Sequence, residues 1–375
     1  MKRILIVICS IAVVLTIFIS ALHTHRVLTR NAVEKLYSGK SLISVLVAGT
    51  NSIRTNKFDF FAVVTVNPRN NYIGITYLPP SYRVELSDSG NEFDKLSNID
   101  FSNFEMIRRS LLKNLKLNVP FYIAVNPNDI SRFVDLIGGI DLFILDQFSD
   151  FSITGHGKYY FDGAKILKYI NDVENNSIFL KYDRVQDIIM TLFTDKKKYA
   201  KYLSLKHVSK LTSGIRSNMY AQEMFSLAEI LEKENAIIST VVPGSLQDGF
   251  YVVDDIAYQH YENDFLSQIV LGQESEYPIR LTIINATSQS GLARRMRNFL
   301  NRDMVNVLEF SSSPFGQFEK SIIIGRTGDS ISTRKISILT GITNISYVTD
   351  NTQLINIMVI LGNDISNIQE SRIGE

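Results

Sequence analysis

The sequence predicts an α/β protein, in which strand-like runs alternate with amphipathic helices in layers, and three observations carry that prediction. First, Val45-Val47, Phe60-Val66 and Tyr72-Leu78 are short runs rich in β-branched and aromatic residues, punctuated by Gly, Pro and Asn. Second, apolar residues recur at intervals of three and four between later strand-like runs, as in Phe104, Ile107, Leu111, Leu112 and Leu115. Third, the 375 residues are 45% hydrophobic and 21% charged, ordinary globular material in quantity enough for two domains. Alternation of strand and helix argues for an α/β or α+β layered domain.

Before the first strand, Met1-Lys2-Arg3 precedes an uncharged run from Ile4 through Leu22. About twenty such residues cross a bilayer as a helix, and basic residues ahead of them keep the amino terminus cytoplasmic. The sequence therefore predicts a tip at 1–3, a single transmembrane anchor at 4–22 and a linker at 23–41. The bulk of the chain would lie on the extracytoplasmic (periplasmic) side of the cytoplasmic (inner) membrane. A cleaved signal peptide is the competing reading, but no small-x-small site follows the run. Cys9, the single cysteine, sits inside the run, so no disulfide framework is expected. The five histidines show no zinc-ligand spacing. A net charge of +1 gives no reason to expect nucleic acid as a partner.

Along the rest of the chain, Asn31–Tyr37 reads as a short helix, Glu85–Leu96 as a polar loop and Ser102–Leu115 as a helix. Phe121-Val125 is a strand closed by Asn126-Pro127-Asn128-Asp129, which offers a helix cap. A helix to Ile137 then stops at Gly138-Gly139, a left-handed terminator. The strand Ile140-Leu145 follows, then a helix at Ala164-Ile170, a long helix from Lys181 to Tyr202, a helix at Ala221-Lys233 and the strand Ile237-Val242. This domain is expected to span 42–268. Residues 269–276 read as a connector, 277–363 as a small α/β domain, and 364–375 as a tail. Within 277–363 the expected elements are Ile279-Ile284, a helix at Gly291-Leu300, Val305-Phe310, Ser321-Ile324, a helix near Ser332-Leu339, and Ile355-Leu361.

Two turns flank the second strand. Gly49 to Phe58, with the adjoining Asp59, gathers Asn51, Arg54, Lys57 and Asp59 at the end of a buried strand, where ligands of α/β proteins commonly sit. The other turn, Asn67-Pro68-Arg69-Asn70-Asn71, reads as a hairpin connection. Any site is expected at the first.

Several stretches together resemble the LytR-CpsA-Psr family, membrane-anchored enzymes that move glycopolymers from polyprenyl-diphosphate carriers onto peptidoglycan. They are Leu46-Val47-Ala48-Gly49-Thr50-Asn51, Lys57-Phe58-Asp59, Tyr77-Leu78-Pro79, Phe133 through Asp141, Phe161 through Ile170, and Pro243-Gly244. The resemblance runs from about 42 to 268. The final segment, with Ile283-Ile284-Asn285-Ala286-Thr287 and Ser290-Gly291-Leu292-Ala293, resembles the small carboxy-terminal domain often attached to that family. The resemblance implies a layered mixed sheet with helices on both faces. It also implies Mg²⁺ as cofactor and polyprenyl-phosphate lipid and peptidoglycan or envelope proteins as partners. Asp59 and Asn51 are the candidate metal ligands, and Arg184, Arg54 and Lys57 the candidate phosphate partners.

This chain departs from the family where the chemistry is densest. Asn51 stands at an aspartate position, Pro80-Ser81 at an Arg-Asp pair, and Asn171-Asp172-Val173 where arginines follow the Tyr-Val. In the Arg-x-x-Arg-Gln element, Arg184 fits the first arginine and Asp187 replaces the second. A diphosphate carrier needs carboxylates for Mg²⁺ and several cations for phosphate oxygens, and each charge-assisted bond lost costs about 1.5–3 kcal/mol. The expectation is an envelope protein that keeps the fold and a lipid-binding groove but has impaired or lost glycopolymer phosphotransferase activity. Two alternatives stay open: a working Mg²⁺-dependent transferase with a rearranged site, and an envelope scaffold that binds proteins or peptidoglycan. A dinucleotide-binding domain ranks last, since Ala48-Gly49-Thr50-Asn51 lacks the glycine fingerprint.

Overall fold

A computed structural model describes residues 30–50, 57–87, 92–145, 151–171, 173, 177–202, 204–233, 236–273, 275, 277–301 and 305–365. The expected anchor at 4–22, and Asn51 and Arg54, lie outside these residues. Among the described residues no helix is long and apolar enough to cross a membrane.

Helix α1 (Ala32–Ser38) opens the described chain, and its start is fixed by a reciprocal cap between Asn31 and Glu34. Strands β1 (Ile43–Gly49), β2 (Phe60–Asn67) and β3 (Tyr72–Tyr77) follow, then a small hairpin of β4 (Arg83–Glu85) and β5 (Phe93–Lys95). That hairpin lies in a stretch that reads as a loop, because three-residue strands carry too little pattern to register. Next come α2 (Phe104–Leu115), β6 (Phe121–Val125), α3 (Pro127–Leu136), the hairpin of β7 (Ile140–Ile144) and β8 (Gly157–Phe161), and α4 (Gly163–Asn171).

The long helix expected at 181–202 begins earlier and breaks: α5 runs Ile178–Thr194 and α6 Lys196–Ala200, with Asp195 ending one and opening the other. The remaining elements of the first unit are α7 (Leu205–Thr212), β9 (Arg216–Ser217), α8 (Ala221–Lys233), β10 (Ala236–Val241), β11 (Ser245–Gln247), β12 (Phe250–Val252) and α9 (Asp255–Tyr261). Helix α9 continues as a π-helix over Glu262–Leu271. The expected connector at 269–276 therefore begins inside a helix. Ile269 is fully buried and its carbonyl accepts from Asn67 Nδ2 at 2.8 Å and Asn70 Nδ2 at 2.9 Å.

The main sheet has the order β10-β3-β2-β1-β6-β9. It is mixed, with β1 antiparallel to β2 but parallel to β6, and β3 parallel to β10. Side chains along β1 alternate between its faces, as period two requires. Leu46 and Ala48 join a core with Phe61, Val63, the buried stripe of α2 and the π-helical Phe265 and Ile269. Ile43 and Val45 join Ala62, Val66 and Ile75 against Tyr182 and Met190 of α5, Val208 of α7 and Leu227 of α8. Helices thus cover both faces. Gly163 lets α4 close on α3: a Cβ there would stand 2.4 Å from the Ser131 carbonyl oxygen.

A second mixed sheet follows, made of β13 (Ile279–Asn285), β14 (Val305–Ser312), β15 (Ile322–Gly325), β16 (Ile345–Tyr347) and β17 (Ile357–Leu361), in the order β14-β13-β17-β15-β16. Helices α10 (Leu292–Leu300) and α11 (Ser330–Thr340) pack into its own core through Leu292, Met296 and Ile336. This sheet also bonds to the first unit. The Ser239 N–H donates to the Gly328 carbonyl and the Ile237 N–H to Ser330 Oγ, both at 2.9 Å. Phe143 packs with Ile324 and Phe318, whose ring stacks on His156 at 3.8 Å, and Tyr347 is buried in the core beside α5.

Candidate functional site

The alternation that fills the core leaves a gap on one face of the sheet. Val47, Ala62, Val64 and Ile75 face α3, α4 and α5 across a cavity of about 350 Å³. A second cavity of about 550 Å³ continues along the same strands under α5, α7 and α8. The two share Val64, Ile75, Val125, Ile130, Phe133 and Ile189, and so form one apolar channel. Cavities of this volume and apolar lining suit a largely apolar ligand.

The first cavity reaches Gly49, Thr50 and Asp59 at the end of β1, the place expected from the sequence. Pairing holds that end in shape: the Asp59 N–H donates to the Gly49 carbonyl at 3.0 Å, and the Thr50 N–H to the Val125 carbonyl at 3.3 Å. Asp59 lies at the mouth with its side chain 39% exposed, 3.7 Å from the ammonium of Lys181. Lys181 is 6% exposed and itself lines the cavity. A buried ammonium is costly unless a charge answers it, and Asp59 is that charge.

The other expected residues are dispersed. Lys57 is exposed and outside the cavity lining, while its neighbour Phe58 packs on Phe101 with ring centroids 4.9 Å apart. Pro80 and Ser81 sit in the turn after β3, where their carbonyls accept the Ser97 and Tyr251 N–H groups. Asn171 lines the cavity, its side-chain amide donating to the Leu167 carbonyl at 3.0 Å. Arg184 lies over the Tyr169 ring at 4.5 Å and donates to its hydroxyl at 3.0 Å.

Asp187 does not face the cavity. It accepts from the Tyr169 hydroxyl at 2.7 Å and from the Thr349 backbone N–H, in the second sheet's unit, at 2.6 Å. Burial pushes its carboxyl up to about 6, against the pull of those bonds. Burial likewise raises Asp183 to about 6, and Asn351 Nδ2 donates to it at 2.5 Å. Asp187, which replaces the second arginine of the family's element, therefore holds two units together.

Lys181 is the residue that sequence reading missed. Lys181, Val185 and Ile188, four and three apart, form one stripe of α5 and all line the cavity. A lysine inside an apolar helical stripe was the available signal.

For Mg²⁺, the described residues contain no cluster of three His, Cys, Asp or Glu side chains able to hold a metal. Among the described residues the site offers Asp59 alone, one carboxylate facing an ammonium, which by itself does not make a donor set for a dication. What the arrangement offers is a long apolar channel ending in one ammonium and one carboxylate, suited to a lipid with an anionic head.

The sequence matches the LytR_cpsA_psr family over residues 11–272. A protein of Bacillus mycoides named polyisoprenyl-teichoic acid–peptidoglycan teichoic acid transferase TagU is 24% identical over 263 residues, covering 64% of this chain and 84% of its own. Its namesake in Halalkalibacterium halodurans is 24% identical over 174 residues, covering 44% and 56%. Among solved structures, TagT bound to LI-WTA has a TM-score of 0.48 at 15% identity, covering 62% of this chain and 92% of its own. TagV of B. subtilis has 0.44 at 20%, covering 59% and 94%. With the family match spanning well over half of its length, this chain belongs to the LytR-CpsA-Psr family, whose relatives are cell-envelope glycopolymer transferases.

Proposed function

We propose that this chain is a membrane-anchored envelope protein that binds a polyprenyl-diphosphate-type lipid, with the tail in the apolar channel and the phosphates at the Asp59–Lys181 mouth. Its transfer of glycopolymer to peptidoglycan is impaired or lost. The single observation that carries the reading is the channel itself, lined mostly by apolar side chains and reaching Lys181. Each methylene of a tail buried there contributes about 0.8 kcal/mol before association costs. Lys181 supplies a cation for a phosphate oxygen, and the spacing Lys181-x-x-Arg184 fits the family's Arg-x-x-Arg element one turn earlier than the Arg184-x-x-Asp187 register. The support for impairment is the neutral Asn51, Pro80, Asn171 and Val173 at charged positions of the family.

A working transferase is the second reading, favoured by Lys181. The test incubates the full chain in detergent with a polyprenyl diphosphate, with and without Mg²⁺, and follows phosphate release beside Asp59→Ala and Lys181→Met variants. Retained lipid without turnover is the expected result. Magnesium-dependent turnover abolished by both substitutions overturns the impaired reading in favour of the second.

A further inference from the structure

We propose that the segment Tyr347–Asn351, in the unit of the second sheet, is a positioning element for the phosphate end of the channel. It holds α5 so that Lys181 keeps its place at the mouth and Arg184 its place on Tyr169 one turn along the helix. The inference rests on the lipid-binding reading above and assigns its regulation to a part of the chain outside the channel.

Helix α5 is gripped from two sides. At about 100° per residue, Lys181, Val185 and Ile188 form the stripe that lines the cavity, while Asp183, Gln186 and Asp187 turn away from it. Those three polar residues are buried, at 5%, 1% and 3% exposure, and each is met by the other unit. The Thr349 N–H donates to Asp187 at 2.6 Å, Asn351 Nδ2 to Asp183 at 2.5 Å, and Gln186 Nε2 to Thr349 Oγ1 at 3.5 Å. Tyr347, two residues earlier, is buried in the core that α5 shares with the sheet.

From Asp187 the bonds continue toward the cations. Its second oxygen accepts from the Tyr169 hydroxyl at 2.7 Å, and that hydroxyl accepts from Arg184 at 3.0 Å with the guanidinium 4.5 Å over the ring. An unbroken line of three hydrogen bonds thus joins the Thr349 backbone to Arg184, which stands one turn from Lys181. Binding constellations have to be held to within about 0.5 Å by such supporting contacts. A buried carboxylate with both oxygens engaged, as Asp187 is, fixes the rotation of a helix more tightly than apolar packing, because turning it would strip its partners. Thr349, Asp187 and Tyr169 touch no ligand in this scheme; they act through the cations.

The test measures the affinity of the full chain in detergent for two probes with one tail, geranylgeranyl diphosphate and geranylgeraniol. Tyr169→Phe, Asp187→Asn and Thr349→Pro are each expected to weaken the diphosphate about 5- to 10-fold, the scale of one charge-assisted bond disturbed. The alcohol should be unchanged, and Thr349→Ser, which keeps the N–H, should bind both as the wild type does. Unchanged diphosphate affinity in the three variants overturns the positioning role while leaving the lipid-binding reading intact. Equal loss for both probes also overturns it, since that is a packing effect. A wild type that binds the two probes alike overturns the reading and the proposal together.

Discussion

Lys181 concentrates the chemistry of the proposed site in one side chain. Replacing it with methionine keeps the stem and removes the charge, leaving Asp59 at a mouth where 39% of its side chain is exposed to water. A lost charge-assisted bond of about 1.5–3 kcal/mol corresponds to roughly ten- to a hundred-fold weaker binding of a polyprenyl diphosphate. Titration calorimetry with the diphosphate and its alcohol should show that loss for the diphosphate alone. Asp187 and Asp183 make a prediction about pH. Both are held at about 6 in the folded protein, against about 3.9 in an unfolded chain. Between those values the folded state binds more protons, so the two groups contribute stability below about pH 4 that is lost as pH rises through 6. Urea midpoints measured from pH 4 to 7 should fall and then level off, and Asp187→Asn should flatten the fall.

At the scale of elements, the channel exists because α3, α5, α7 and α8 stand off from the middle of the sheet. Val64 is one of the six residues that line both cavities, in the neck where the two meet. Val64→Phe is expected to close the neck, abolish binding of long-chain polyprenols and leave a short-tailed diphosphate bound at the mouth, as native mass spectra of the two complexes would show. The α3–α4 contact makes a separate prediction. Gly163→Ala forces a Cβ to within 2.4 Å of the Ser131 carbonyl oxygen, a backbone contact that has to shift. Overpacking of this kind costs about 1–3 kcal/mol, which should appear as a lower urea midpoint with an unchanged slope. The period-two runs and the cap at Asn126 were legible because each signal is local: Asn126 accepts from the Asn128 and Asp129 N–H groups as a cap residue does. The hairpin partner Gly157–Phe161 and the π-helical turn at 262–271 were not, since one is set by pairing to β7 and the other by packing against β3.

Across the whole molecule, the two sheets keep separate cores while sharing the contacts around Tyr347, Thr349, Gly328 and Phe318. We propose that residues 277–363 form a unit joined by a cleavable connector. Proteolysis near Gly272–Gln273 should then leave two fragments that co-elute on gel filtration at neutral pH, because the buried contacts outlast the cut. Fragments that separate without denaturant would show the contacts too weak to position α5.

The sequence by itself determined most of the strand and helix pattern and the family, because both are written in local runs, and it pointed to the end of β1, where the cavity opens. Asp59 was named from its position beside that turn and lies at the mouth. Tertiary structure decided which side chains share that mouth with it. Lys181 reaches Asp59 across more than a hundred residues of chain because a helical stripe faces the sheet, while Lys57 stays in solvent and Asp187 turns to the other unit. Spacing along a helix gives a stripe but not its direction; what packs against each face gives the direction, and that is a property of the assembled layers.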